Sequence, residues 1–501
     1  MEIREKYEKV KKHFYEVSLL SSIGALLGWD QRVMMPPGGI KHRSEQIAYL
    51  EKMIHQKMTD PHIGELLDEL ESSELMAEPE SAEAVNIRWW RWYYQREKKI
   101  PPEWVEEFAR TTTLAEKEWE KAREESNFSR FNPHLKKILD LIRQRAEFLG
   151  YEKEPYDALL EDYEPGLSAE TLQKLFQPLR EEVPQLLHRI THSGRKPDVS
   201  FLHCHFPREM QEQFARMVIQ TLGYDFQSGR LDPTVHPFET KIGPGDVRIT
   251  TRYYEDFFNA SFFGVVHETG HALYELGLLP EHFGTPMGMS VSLGIHESQS
   301  RIWENFVARS LPFWEFFYPK AREFFDAFRD VPLPTFYFAI NEVKPSTIRV
   351  EADEVTYNLH ILLRFELEHA LLRKELEVDS LPDFWNEKFA QYFGFSPPSD
   401  KEGVLQDVHW SGGMFGYFPT YTLGNIYAAQ FFHQVKKEIP ELEDLFRKGQ
   451  FHPFLEWLRV KIHQQGKRYT APQLIEKVTG KPPDPSFLLS YLREKFLPLY
   501  S

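Results

Sequence analysis

A mainly α-helical protein, built as a single large domain with a small β-sheet near its middle, is what three features of the sequence predict. Apolar residues recur at steps of three and four through most of the 501 residues, the period of a helix with one buried face. One stretch, residues 195–246, breaks that pattern with Gly, Pro and Asp. Directly after it comes "VRITTRY", a β-branched run and the best strand candidate in the chain. No repeat, low-complexity tract or interdomain linker divides the sequence, so residues 1–501 are read as one domain.

The elements follow in order. Tyr7, Val10, Phe14 and Val17 share one face of an opening helix, and the Pro-Pro-Gly-Gly of "WDQRVMMPPGG" ends it. Helices with charged outer faces are expected at about 40–56, 81–98, 102–125, 132–149 and 169–192. One more helix is expected inside 195–246, then the strand. Helices resume with "SFFGVVHETGHALYEL", for which Gly277 supplies a stop, and with "SLGIHESQSRIWENFVARS", whose Ile295, Ile302, Trp303 and Phe306 mark a packed face. They continue to the C-terminus.

Composition narrows the function classes. The formal net charge is -16, and an acidic surface repels phosphate backbones, which argues against nucleic-acid partners. Cys204 is the only cysteine; no intrachain disulfide can form, and a reducing, cytoplasmic setting is expected. The charged N-terminus "MEIREKYEKVKKHFYEV" has no apolar h-region. No apolar run approaches the roughly 20 residues of a membrane span, so no membrane association is expected.

The chemistry concentrates in "HETGH". On a helix, His267 and His271 lie one turn apart and present both imidazoles to one point. Glu268 sits about a third of a turn away, within reach of a metal-bound water without ligating the metal itself. Phe262, Phe263, Val265, Val266, Ala272 and Leu273 make this a buried helix, the water-poor setting that strengthens a metal-bound hydroxide. The string is short enough for chance to produce it, so the test is a third ligand. Glu297, 26 residues after His271, is the best candidate, because the separation accommodates a short loop and a returning helix. The adjacent His296 points elsewhere on that helix and is read as supporting the site rather than ligating.

Five ordered motifs, "DVRIT" at 246, "HETGH" at 267, "HESQSR" at 296, "IRVEAD" at 348 and "GVLQDVHW" at 403, together with the flanks "GWDQRVMMP" and "GYFPTYTLGN", resemble the carboxypeptidase Taq family of metallocarboxypeptidases almost end to end. The resemblance implies one peptidase domain with a long, deep active-site groove, a metal-binding core at about 236–425, and a homodimer. It implies one Zn2+ ion, or Co2+ in its place, on His267, His271 and Glu297, with Glu268 as general base. The implied reaction is release of C-terminal amino acids from peptides with broad side-chain tolerance.

Peptide hydrolysis also needs donors for the oxyanion. In "DVHWSGGMFGYFPTY" the candidates are His409 with Tyr417 or Tyr421; the spacing in related helical zinc peptidases favours His409 and Tyr421, leaving Tyr417 to the substrate groove. A substrate's free C-terminal carboxylate calls for an arginine fork, and motif membership assigns Arg248 and Arg349 to it. Arg301, one turn past Glu297, could orient that ligand.

Two stretches are decoys. "LHCHFP" would put His203 and His205 on one strand face beside Cys204, without a partner pair to complete a metal site. "RWWRWYYQREKK" interleaves basic and aromatic residues like a single-strand platform, but Trp89, Trp92 and Tyr93 at helical spacing form a core face with arginine stems at its rim.

Overall fold

Tyr7, Val10, Phe14 and Val17 are all buried along α1 (Ile3–Val33), which begins the computed structural model of residues 2–501. The following helices are α2 (Ile40–Met58), α3 (Pro61–Glu71), α4 (Ala82–Lys99), α5 (Pro102–Glu124), α6 (Phe128–Leu149), α7 (Pro155–Leu160), α8 (Ala169–Thr191) and α9 (Arg208–Leu222). The five expected helices appear within a few residues of their expected bounds, and α9 is the one foreseen inside the Gly/Pro-rich stretch. α3 was not foreseen. Its signals are present: Asp60 accepts from the His62 N–H at 2.9 Å, Pro61 takes the first position, and Ile63, Leu66, Leu67 and Leu70 are buried. The α1, α3 and α4 stripes meet in a small core of their own, where the Phe14 and Trp90 rings stack at 5.3 Å. The main core runs from α5 to the C-terminus.

Next come strands β1 (Leu231–Pro233), β2 (Glu239–Gly243) and β3 (Asp246–Thr251). β3 is central, parallel to β1 and antiparallel to β2, with Ile249 opposite both Leu231 and Glu239. The hairpin turns at Gly245, whose φ of +75° is costly for any residue with a Cβ. β3 is the strand read from "VRITTRY", although the chain leaves the sheet after Thr251. β1 and β2 are too short and mixed to show alternation.

The rest is helical: α10 (Phe258–Gly277), α11 (Leu293–Arg301), α12 (Leu311–Phe324), α13 (Leu333–Ile340), α14 (Tyr357–Leu372), α15 (Leu381–Phe393), α16 (Pro419–Glu438), α17 (Leu442–Arg447), α18 (His452–Lys461), α19 (Ala471–Thr479) and α20 (Ser486–Leu499). α11 runs directly into a π-helical segment, Ile302–Ala308. Two glycines let α10, α11 and α16 meet at backbone distance. A Cβ on Gly270 would lie 2.6 Å from Ser300 Cα, and one on Gly424 would lie 2.5 Å from Glu297 Cγ; neither fits. Gly277 does end α10, but not as a left-handed cap. A Cβ there would meet His463 Nδ1 at 2.2 Å, so close packing demands the glycine. Among the described residues, no helix is long and apolar enough to cross a membrane.

Candidate metal centre

α10 carries His267 and His271 one turn apart, and α11 returns alongside it to deliver Glu297. Glu297 Oε2 lies 3.6 Å from His267 Nε2 and 3.4 Å from His271 Nε2. These are the only three described residues whose His, Cys or acidic ligand atoms gather this way, all within 4.8 Å of one another. A tetrahedral ion bound at about 2.0–2.2 Å sets its ligands roughly 3.4 Å apart, so the donor set fits a cation. His203 and His205 form no such group; the His203 ring instead lies flat against Phe257 at 4.5 Å.

The orientations of these three side chains are enforced from behind. Glu304, on the π-helical segment, accepts from His267 Nδ1 at 2.9 Å, leaving Nε2 free for a cation. Glu297 Oε1 accepts from Arg301 Nε at 2.7 Å, and its Oε2 accepts from Ser300 Oγ at 2.9 Å. Burial opposes ionisation of Glu297, but the Arg301 and His267 charges hold its carboxyl well below the usual range. Arg301 also reaches Glu304 at 3.3 Å, so one guanidinium braces both carboxylates. His296 is hydrogen-bonded to His271, Nδ1 to Nδ1, at 2.6 Å. Burial lowers the His271 pKa to about 3.

Glu268 is buried on α10 directly after His267. Among the described residues no side chain or backbone group hydrogen-bonds its carboxylate. Burial pushes its pKa up to about 7, which leaves it a stronger base than a surface glutamate.

Behind Glu297 the charges continue as a chain. The Arg301 guanidinium lies 4.4 Å from the Tyr357 ring, and the Tyr357 hydroxyl accepts from Arg349 at 3.0 Å. Arg349 donates to Asp407 Oδ1 at 2.8 and 3.0 Å, and Arg364 donates to Asp407 Oδ2 at 2.7 Å. His409 follows, its Nε2 3.4 Å from the Tyr421 hydroxyl. Burial, reinforced by the Arg349 and Arg364 charges, lowers His409 to about 4, so it is neutral at neutral pH. Tyr417 packs at 5.4 Å from both His409 and Tyr421. Burial raises both phenols, and the Glu297 charge adds to it. His409, Tyr417, Tyr421 and Arg349 thus form one cluster, joined to Glu297 through Tyr357 and Arg301.

Arg248 is placed differently. It forks onto its own strand neighbour Asp246 at 2.8 Å through two bonds and stacks on Trp29 of α1 at 4.4 Å. Of the core face read in residues 88–99, Trp89 is buried and donates to the Lys467 carbonyl at 2.7 Å, while Trp92, under the Arg96 guanidinium, and Tyr93 are half-buried against it; Trp90 and Tyr94 are the residues that enter the core with α1 and α3. Sequence reasoning missed Glu304, Tyr357, Arg364 and Asp407. Glu304 was detectable, since it lies seven residues after Glu297 on the same helix face; the other three are joined only by folding.

A family model described as carboxypeptidase Taq (M32) metallopeptidase matches residues 9–496. The chain belongs to that family. It is accordingly a peptidase hydrolase that uses a metal and acts on peptides at the C-terminal end. Among curated relatives, thermostable carboxypeptidase 1 of Thermus thermophilus is 52% identical over 503 residues, covering 99% of each chain. Carboxypeptidase 1 of Bacillus subtilis is 42% identical over 98% of each. Among solved structures, the M32 carboxypeptidase from Deinococcus radiodurans R1 superposes with a TM-score of 0.96 at 38% identity, covering 99% of both chains.

Proposed function

We propose that this metallocarboxypeptidase releases amino acids from the free C-terminus of peptides, with one zinc ion held by His267, His271 and Glu297 and cobalt able to replace it. The carrying observation is Glu297 Oε2 within 3.6 Å of both imidazole Nε2 atoms, with Glu268 unpaired beside them. When bound, such a cation supplies Lewis-acid polarisation and a water of lowered pKa.

The chain's own residues do the rest. Glu268 takes the proton of the attacking water and hands it to the leaving amine. His409 and Tyr421 donate to the developing oxyanion, while Tyr417 lines the adjacent groove. Between the two arginines, charge balance favours Arg349 as the grip on the substrate carboxylate. Arg349 and Arg364 share a single aspartate, which leaves one buried positive charge for a substrate to neutralise; Arg248 is already matched by Asp246. Family membership supports broad side-chain tolerance, a single peptidase domain and a homodimer, and the lone exposed Cys204 is in keeping with a cytoplasmic setting.

Glu268→Gln tests the assignment. It should retain one bound zinc per chain while kcat falls by about 100-fold or more; near-wild-type turnover removes Glu268 from the mechanism. A helical zinc endo-oligopeptidase would share this metal site, and C-terminally amidated peptides separate the two. If amidation leaves the rate unchanged, the carboxypeptidase assignment of the site falls.

A further inference from the structure

The two imidazoles of the centre are braced in different ways. His267 Nδ1 meets a carboxylate directly, Glu304 at 2.9 Å. His271 Nδ1 meets another imidazole, His296 Nδ1, at 2.6 Å. The far nitrogen of His296, Nε2, lies 3.0 Å from Glu275 Oε1, and Glu275 Oε2 lies 3.0 Å from Lys241 Nζ. The His271 and His296 rings are 4.6 Å apart centre to centre, with planes 28° apart. A nitrogen–nitrogen distance this short at that centre separation sets the rings edge to edge, as an in-plane N–H···N bond requires.

We propose that Lys241, Glu275 and His296 form a relay that fixes the tautomer of His271 and presents its Nε2 lone pair to the metal. This rests on the reading of His271 as a ligand. The direction follows from donor counting. Glu275, ionised between Lys241 and His296, only accepts, so His296 donates its Nε2–H to it. A cation on His271 Nε2 requires the His271 proton on Nδ1, so the 2.6 Å contact is then a donation from His271 to a bare His296 Nδ1, even though Glu275, against the effect of burial, raises the pKa of His296 in the metal-free site. Reversing the chain would put a proton on His271 Nε2, in the place a cation must take. The relay spans three elements. Glu275 lies one turn beyond His271 on α10, His296 precedes Glu297 on α11, and Lys241 sits on β2. The hairpin is thereby wired to the metal, and His296 is a positioning residue that acts through His271.

The test is zinc affinity, measured by competition with a chelator on the metal-stripped full-length protein, for wild type, His296→Leu, His296→Asn and Lys241→Met. Circular dichroism and melting of each apo form report folding. His296→Leu removes the acceptor and should weaken zinc binding about 10- to 100-fold, with a shifted visible spectrum of the cobalt-loaded protein. His296→Asn places an amide oxygen where Nδ1 stood and should restore affinity to within about fivefold of wild type. Lys241→Met, at the outer end of the relay, should weaken binding by about threefold or more. Wild-type affinity in His296→Leu or Lys241→Met overturns the relay, as does equal weakening in His296→Asn and His296→Leu. His271→Ala is run beside them: if it binds zinc like wild type, the ligand assignment itself has failed, and the relay with it.

Discussion

Replacing Gly424 by alanine places a methyl group 2.5 Å from Glu297 Cγ, 2.8 Å from its Cβ and 3.2 Å from its carbonyl carbon. Carbon–carbon contacts relax at about 3.5 Å, so Glu297 or the α16 backbone must move by about 1 Å. Metal–ligand distances tolerate only about 0.2 Å, and Glu297 Oε2 is the atom both imidazoles face. Global stability should change far less. Overpacking costs about 1–3 kcal/mol, while alanine is favoured over glycine in a helix interior by about 1 kcal/mol. The net loss of about 0–2 kcal/mol, spread over the unfolding entropy of a 501-residue chain, lowers the melting temperature by only about 0–2 °C. The expected signature is therefore a nearly unchanged apo melt with zinc affinity at least about tenfold weaker. Calorimetry of the stripped protein and chelator-competition titration read the two quantities separately. A Gly424→Ala protein that binds zinc as tightly as wild type would refute the claim that the α11–α16 approach sets the third ligand.

Tyr421→Phe should lower kcat by about 100-fold or more with KM little changed, as loss of an oxyanion donor does; Tyr417→Phe should act mainly on KM, and steady-state kinetics on an N-blocked dipeptide separates the two. On the same substrate Arg349→Met should reduce kcat/KM by at least about 30-fold, the loss of a buried charge-assisted contact of 2 kcal/mol or more, whereas Arg248→Met should stay within about fivefold; the reverse order would move carboxylate recognition to β3. Because burial raises Glu268 to about 7 and a bound cation favours its ionised form, the acid limb of kcat/KM should fall between about 4.5 and 7. Glu268 works only when deprotonated, so activity is retained above that limb and lost as pH falls through it. A pH–rate profile with no inflection in that window would exclude Glu268 as the base.

The helical class was legible because periodicity is local: a buried stripe at steps of three and four reads out in any window of a dozen residues. The His267–His271 pair was legible for the same reason, since one turn of helix fixes their relation, and 26 residues of loop and return helix made Glu297 a reasonable partner. β1 and β2 were not legible. Strands of three and five residues, one closed by Pro233 and the other by Gly243, carry no alternation, and they become strands only because β3 offers its edges. His296 shows the boundary most sharply. Its neighbourhood to Glu297 suggested a supporting role, but its partner was decided by the way α11 lies against α10.

By itself, then, the sequence determined which residue types could make a metal centre, and along which helix face. Tertiary structure alone decided what stands behind them: Glu304 on His267, the Glu275–His296 relay on His271, and Arg349 and Arg364 brought onto Asp407 from 58 and 43 residues away. The physical reason is range. Helix geometry relates residues a few positions apart whatever else the chain does, whereas hydrogen-bond partners tens of residues away exist only once apolar burial has brought the helices together, and at Gly270 and Gly424 to within backbone contact.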